Sequence, residues 1–456
     1  MRKVSHILLL VLLFCAKALG QTVFTREIDA TFDWSSYGNP YFFGSVTFEA
    51  YFHATYPQWT NHILNVGNSG TATEYQYKTI QEKRCLAWWA LSQGTNLDCV
   101  LAQDNGGYDF NTETNWTLQL FGAPPLFWNG VSGTTNYGIS FAVKHYAVGS
   151  IPGQTPGGDG GSIARNAASM AVAAIMGTPQ VDLWHMMYTN GLLTLDSDFF
   201  PPPAATGHPK CPGNTAIALL QIYLLGFETN FGSITIDAQS QTATTNHFAA
   251  TGISASSTTV TATVRADRMP PGWEVPDGNL RTNDARPMFT EFPGLASLFS
   301  WKFAVTNLSA GTWQCYVDGS LVDTATSAQW AAGRNWFTNY AGPYWAQRTL
   351  LNDKVKDGAG VDHYAMLPTH DAGSGGVLPH GDLINYLSHA NQGYDSDNLR
   401  GTALRDFMAP SVVDMYAYDQ AKHDAAQQTP HTFTWVKVST GTVNVNNLNV
   451  GTTTLL

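Results

Sequence analysis

The chain has 456 residues, of which 44% are hydrophobic and 12% charged, and its formal net charge is -11. This length and composition predict a large apolar core divided among two or three domains. The acidic residues are scattered and there is no basic patch, which argues against nucleic acids and anionic membrane surfaces as partners.

The first twenty residues, MRKVSHILLLVLLFCAKALG, predict a secretory signal peptide. They combine a basic start, a short apolar run and small residues at the end, so cleavage is expected before Gln21. The apolar run is shorter than the roughly 20 residues that a membrane-spanning helix needs. We therefore expect a secreted or periplasmic protein with no membrane insertion after cleavage. Export would allow one or two disulfides, of unassigned pairing, among the remaining cysteines, Cys85, Cys99, Cys211 and Cys315.

From residue 41 to about 227 short apolar runs alternate with helical stretches, which predicts an α/β domain at 21–227 with a mostly parallel sheet covered on both faces. The predicted elements are, in chain order, a strand at 41–43, an amphipathic helix at 46–55 ending near Pro57, a strand at 63–66, a helix at 79–91, a strand at 97–102, a helix at 162–177, a strand at 179–185, and a helix at 214–226 closed by Gly226.

The sequence pattern changes near residue 228. Residues 228–328 are rich in Thr and Val with period two, which predicts a small antiparallel β domain. Residues 329–428 return to a helical pattern with long polar loops, and this helical region is expected to pack back on the α/β domain. Residues 429–456 form a β-prone tail that is expected to add edge strands or to lie loose.

Four segments with polar or glycine residues fall where parallel strands end or the last helix of the domain begins. Ser45 follows the first predicted strand, GNSG (67–70) the second and QDNGG (103–107) the third, while GHPKCPG (207–213) precedes the last helix. Ligands of open parallel sheets bind at the carboxyl ends of the strands. One crevice would therefore hold a hydroxyl, backbone donors, an amide and an imidazole, which are the groups needed for acyl transfer.

The order of these segments resembles the secreted GDSL-type (SGNH) esterases of bacteria, over residues 41–227. More faintly, residues 328–347 resemble the segment after the β insertion of larger bacterial members. The resemblance implies a three-layer α/β/α, flavodoxin-like domain that uses no cofactor. It implies Ser45 as nucleophile and His208 as base.

The resemblance also implies an oxyanion hole, formed by the backbone N–H groups of Ser45 and Gly70 and by the amide of Asn105. Gly67 is the alternative to Gly70. The chain departs from the family pattern here, because the usual Gly-Asp-Ser is reduced to Gly44-Ser45 and the asparagine is displaced by one position. Either Asn105 donates to the oxyanion, or Asp104 occupies that place.

A third departure concerns the residue that orients the base. The family places an aspartate three residues before the histidine, and this chain has Ala205 there. His208 would then act in a Ser–His dyad, or be oriented by a backbone carbonyl or by a substitute such as Asp196 or Asp198.

The sequence thus predicts a secreted ester hydrolase whose substrate is an acylated carbohydrate or another small ester. One alternative is a catalytically impaired homologue that binds glycans, with the aromatic side chains of Trp88, Trp89 and Trp184 as stacking surfaces. A second alternative is a metal-dependent hydrolase that uses the His/Asp-rich region 362–389. Its candidate ligands are His370, Asp371, His380 and Asp382, although their spacing matches no compact zinc signature.

Overall fold

The structure is a computed structural model. It describes residues 29–33, 44–65, 99–103, 144–148, 180–181, 211–273, 293–366 and 417–438, with single positions at 167, 171, 285, 286, 288 and 289. The predicted signal peptide lies outside these residues. None of the helices in the described part of the chain is both long and apolar enough to cross a bilayer.

The N-terminal half of the chain contains a five-stranded sheet in the order β2-β1-β3-β4-β5. Its strands are β1 (Asp29–Asp33), β2 (His62–Asn65), β3 (Cys99–Gln103), β4 (Lys144–Val148) and β5 (Gln180–Val181). Every neighbouring pair is parallel. This is the strand order of flavodoxin-like folds, in which the chain changes direction across the sheet between β1 and β3. The predicted α/β class is therefore confirmed.

The predicted strands at 63–66, 97–102 and 179–185 correspond to β2, β3 and β5. The sequence pattern did not reveal β1 or β4, and the strand predicted at 41–43 lies outside the described residues.

The described helices are α1 (Gly44–Thr55), α2 (Cys211–Leu224), α3 (Pro293–Ser297), α4 (Ser327–Ala332), α5 (Gly342–Met366) and α6 (417–426). Both α1 and α2 begin two or three residues before their predicted starts. After α2, Gly226 has a φ of 74° and the Phe227 N–H bonds the Ile222 carbonyl at 3.1 Å. Glycine is favoured at such a helix end because this φ is strained for other residues.

Helix α1 is buried on every side, which corrects the expectation of an amphipathic helix. All side chains from Val46 to Thr55 are buried. α1 packs against α2 and α5. Phe48 contacts Phe227 with ring centroids 6.1 Å apart, and the Tyr51 hydroxyl donates to the Glu228 carbonyl at 3.0 Å. Because neighbours from the second half of the chain cover the face that would otherwise meet water, a helix with few polar residues is stable there.

The described residues of the second half of the chain form two further sheets. One has the order β13-β10-β6-β7 and the other β12-β11-β14-β9-β8. The strands are β6 (Asn230–Asp237), β7 (Thr242–Asn246), β8 (Phe248–Ala255), β9 (Thr259–Ala266), β10 (Ser300–Thr306), β11 (Thr312–Val317), β12 (Ser320–Thr326), β13 (Arg334–Asn335) and β14 (His431–Lys437). All pairs are antiparallel except β6 with β10. Rings from the two sheets pack face to face, as between Phe303 and Phe433 at 5.7 Å, so the sheets form a sandwich.

Strand β14 lies at the centre of its sheet, between β11 and β9. The expectation that the tail would add an edge strand or lie loose is therefore wrong for this segment. The period-two pattern indicated a strand but carries no information about its partners. The buried side chains of His431, Phe433 and Trp435 alternate along it, and the two large rings fill the sandwich core.

A buried arginine joins α5 to the loops around it. The Arg348 guanidinium donates to the carbonyl oxygens of Pro271 (2.7 and 3.1 Å), Phe337 (3.1 Å) and Asn339 (3.2 Å). It also lies over the ring of Trp273, 4.3 Å from the centroid. Burial lowers the pKa of Arg348 to about 9, so the side chain is still cationic at pH 7.

Candidate functional site

The carboxyl ends of β1, β2 and β3 lie side by side at one edge of the parallel sheet, because the three strands are neighbours and parallel. The strands end at Asp33, Asn65 and Gln103. The segment GNSG (67–70) follows β2 in the sequence, and Asp104 comes directly after β3. Two of the predicted site segments therefore begin at the same edge of the sheet, one after each of the two strands that flank β1.

Ser45 is the second residue of α1, the helix that follows β1 in the chain. The first backbone N–H groups of a helix have no partner within the helix, and they make its N-terminus attractive to negative charge. The other predicted site residues lie outside the described part of the chain. They are Gly70, Asp104, Asn105 and His208, the tryptophans Trp88, Trp89 and Trp184, and the candidate orienting residues Asp196 and Asp198.

A cluster of buried ionisable side chains joins α1 to α6. The Lys422 ammonium donates to Glu49 Oε1 at 2.6 Å and to Asp419 Oδ1 at 3.2 Å. All three side chains are at most 3% exposed. His53, one turn beyond Glu49, places Nε2 3.8 Å from Glu49 Oε1. Sequence reasoning missed this cluster, although α1 is apolar and places a carboxylate, Glu49, and an imidazole, His53, at spacing i, i+4.

His53 is uncharged in the folded protein at neutral pH. It is fully buried, and neither of its ring nitrogens has a hydrogen-bond partner among the described residues. Burial lowers the pKa of His53, and the nearby Glu49 carboxylate offsets only part of that effect. The imidazole is therefore a neutral group against a pair of carboxylates that already share an ammonium ion.

The cluster contains ligand types that bind metals, but Lys422 occupies the position of a cation. Glu49, His53 and Asp419 each offer one ligand atom, all within 4.8 Å of one another. A metal ion would have to displace an ammonium that bonds both carboxylates, so the residues fit an ion-pair network better than a metal centre. The metal ligands expected from the sequence, His370, Asp371, His380 and Asp382, lie outside the described residues.

Helix α6 also holds the loop that follows α1. His423 Nδ1 lies 3.1 Å from the Trp59 carbonyl oxygen, and the Gln427 side-chain amide donates to the Pro57 carbonyl. In addition, the Gln347 amide of α5 donates to the Ala425 carbonyl at 3.1 Å. Helix α6 therefore contacts α1 at its middle through Lys422 and just beyond its end through this loop.

Comparisons with known proteins assign this chain to no family, but they show that its fold is similar to that of one solved structure. No family model matches the chain, and no curated protein matches it. A solved structure described as a gut microbial diltiazem-metabolizing enzyme is similar, with a TM-score of 0.61 and 14% identity. The match covers 92% of this chain and 100% of that one. The chain thus shares the fold of that enzyme over most of its length.

Proposed function

We propose that this protein is a secreted serine-dependent ester hydrolase, a divergent SGNH-like enzyme with a three-layer α/β/α domain. The observation that carries the proposal is the position of Ser45 at the start of α1, the described helix that follows β1 in the chain, together with the parallel sheet order β2-β1-β3-β4-β5. In doubly wound sheets the helix after a strand starts at the carboxyl edge, where ligands bind. If α1 starts at that edge, Ser45 would lie close to the segments that follow β2 and β3.

The similar solved structure supports an enzymatic role. Its description names diltiazem as a compound that it metabolizes, and diltiazem is an ester-containing drug. An ester bond is the bond that a serine, an imidazole and an oxyanion hole would cleave. The acylated carbohydrates expected from the sequence remain our proposed substrates, as members of the same chemical class.

The proposed reaction has two steps. In the first, His208 removes the proton of the Ser45 hydroxyl while its oxygen attacks the acyl carbon, and the protonated imidazole then gives the proton to the leaving alcohol. The backbone N–H groups of Ser45 and Gly70, with the Asn105 amide, stabilise the negative oxygen. In the second step, water activated by His208 releases the acid and restores Ser45.

A serine-directed fluorophosphonate probe tests the proposal together with hydrolysis of small acyl esters. We expect the wild-type protein to be labelled at Ser45 and to hydrolyse esters, and Ser45→Ala to lose both properties. Ser69→Ala, a serine of the GNSG segment with no assigned role, is the matched control and should keep both. Asn105→Ala should lower turnover by about 10²–10³-fold.

Other results would favour the alternatives. If Ser45→Ala is still labelled and still hydrolyses esters, the proposal is wrong. If the wild-type protein is neither labelled nor active but binds glycans, the glycan-binding alternative takes its place. Hydrolysis that a chelator abolishes, without labelling of Ser45, would indicate the metal-dependent alternative.

A further inference from the structure

We propose that Lys422 is a positioning residue for the hydrolysis described above, and that it acts by fixing helix α1, whose first turn carries Ser45. The inference rests on the proposed function and adds a residue that is far from Ser45 in the sequence and on another helix. Lys422 is fully buried, so its role would be exerted through Glu49 and not through contact with substrate.

Ser45, Glu49 and His53 occupy positions four apart in α1 and so lie along one side of the helix. With a rise of about 1.5 Å per residue, Glu49 is about 6 Å along the axis from Ser45. Since one turn of hydrogen-bonded helix connects the two residues, a displacement of α1 at Glu49 is transmitted to its first turn. A group that fixes Glu49 therefore fixes the backbone at Ser45.

The contacts of α1 include apolar ring packing and a few directional bonds, such as the one from the Tyr51 hydroxyl to the Glu228 carbonyl. Phe48 and Phe52 pack on Phe227 with ring centroids 6.1 and 5.4 Å apart. Contacts of this kind are non-directional, so they define the orientation of a helix less sharply than a hydrogen bond does. The Lys422–Glu49 bond, at 2.6 Å, is a charge-assisted hydrogen bond with a defined length and direction. It is shorter than the Tyr51–Glu228 bond (3.0 Å), and Glu49 is one turn from Ser45, so we infer that it fixes the first turn of α1.

Helix α6 is itself anchored, so that it can serve as a reference for α1. Asp419 bonds the Lys422 ammonium from within α6 and fixes the direction in which it points. His423 and Gln427 hold the loop after α1, through Trp59 and Pro57. The chain then continues into β14 at the centre of the sandwich. Through α6, the position of α1 is fixed relative to the sandwich.

The test compares kcat and KM of the folded protein with those of Lys422→Met and Lys422→Arg. A misplacement of about 1 Å can lower a rate by about 10²-fold. We therefore expect Lys422→Met to lower kcat, and the rate of fluorophosphonate labelling, by about 10²-fold with KM changed by less than about 3-fold. Lys422→Arg keeps a cation that can bond Glu49, and it should recover most of the rate.

Two further variants separate positioning from stability. The double variant Glu49→Gln/Lys422→Met has no negative charge at position 49 that has lost its ammonium partner. It should therefore be more stable than Lys422→Met alone, but its kcat should remain low. Asp323→Asn removes the negative charge and one of the two oxygens that accept from Arg334 and Trp336 in the sandwich, at 2.9 to 3.2 Å, and it changes no residue of α1 or α6. It should lower the melting temperature and leave kcat unchanged.

The outcomes distinguish this inference from the proposed function. Suppose that the wild-type protein is active and labelled, and that Lys422→Met or the double variant folds and keeps kcat within about twofold of wild type. This result would overturn the positioning role of Lys422 and leave the proposed hydrolase function in place. Equal loss of kcat in Asp323→Asn would overturn it as well. A wild-type protein that is neither active nor labelled would overturn the proposed function, and this inference with it.

Discussion

Arg348 should be one of the most sensitive positions in the described part of the chain. Replacing it with methionine keeps an unbranched side chain in the same space but removes the guanidinium. The carbonyl oxygens of Pro271, Phe337 and Asn339 would each lose a donor in a buried setting. A buried acceptor without a partner costs about 1–3 kcal/mol, so three of them cost at least about 3 kcal/mol.

Two other contributions act in opposite directions. The cation over the Trp273 ring, 4.3 Å from the centroid, adds about 1–2 kcal/mol that the variant loses. Burying a cation is itself costly, as the lowered pKa of about 9 for Arg348 indicates, and the variant no longer bears that cost. We therefore expect a net loss of about 3 kcal/mol in the free energy of unfolding for Arg348→Met.

Thermal unfolding followed by near-ultraviolet circular dichroism measures the effect. For a unit of 150–250 residues a loss of about 3 kcal/mol lowers Tm by roughly 6–12 °C. Arg348→Lys should be nearly as destabilising, because an ammonium group cannot reach three acceptors in the fork geometry of a guanidinium. Arg265→Met is the matched control, since Arg265 is 52% exposed and pairs with an exposed aspartate at 3.3 Å.

The control should change Tm by no more than about 1 °C. An Arg348→Met variant with the Tm of the wild type would refute the reasoning, because the three carbonyl oxygens would then be satisfied without the guanidinium. A fully stable Arg348→Lys variant would show that the charge matters and the geometry does not.

Two further predictions concern His53 and Cys315. Burial lowers the pKa of His53 in the folded protein, while in the unfolded chain the pKa keeps its ordinary value of about 6.5. The unfolded chain therefore takes up a proton at a higher pH than the folded protein does. The free energy of unfolding should fall as the pH drops from about 6.5 to the lower pKa of the folded state. His53→Gln should lose less stability than wild type between about pH 7 and pH 5 in urea titrations; an identical pH dependence would contradict a neutral, buried His53. Cys315 is a buried free thiol whose pKa is raised by burial, so iodoacetamide should modify it at least about 100-fold faster in denaturant than in the native protein. Peptide mass spectrometry measures the modification, and rapid modification of the native protein would show that this part of the sandwich opens readily.

Patterns within short stretches of the sequence were sufficient to predict several helices and strands. The helix at 46–55, the strands at 63–66 and 97–102, and the glycine at 226 were recognised from periodicity and from helix-ending chemistry, and the structure has elements there. These signals depend on neighbours within a few residues, which a single sequence contains.

The contacts that join distant parts of the chain could not be read in this way. Lys422 and Glu49 are 373 positions apart, and no local pattern pairs them. The burial of Arg348 likewise depends on carbonyl groups in two distant segments, at Pro271 and at Phe337 and Asn339, which no local pattern links to it. Of the predicted catalytic residues only Ser45 lies in the described part of the chain, and the roles of all of them, Ser45 included, stay predictions.

The central place of β14 has a consequence for the order in which the protein can fold. During synthesis β9 and β11 emerge well before β14, which pairs with both of them in the finished sheet. Until then, the side of each strand that will pair with β14 has no partner strand. Until residues 431–437 leave the ribosome, these strands expose unpaired backbone groups to any other extended segment. Pairing across so many residues is also slow. Completion of the sandwich is therefore a late event, and a nascent or truncated chain without β14 would have two open strand edges available for aggregation.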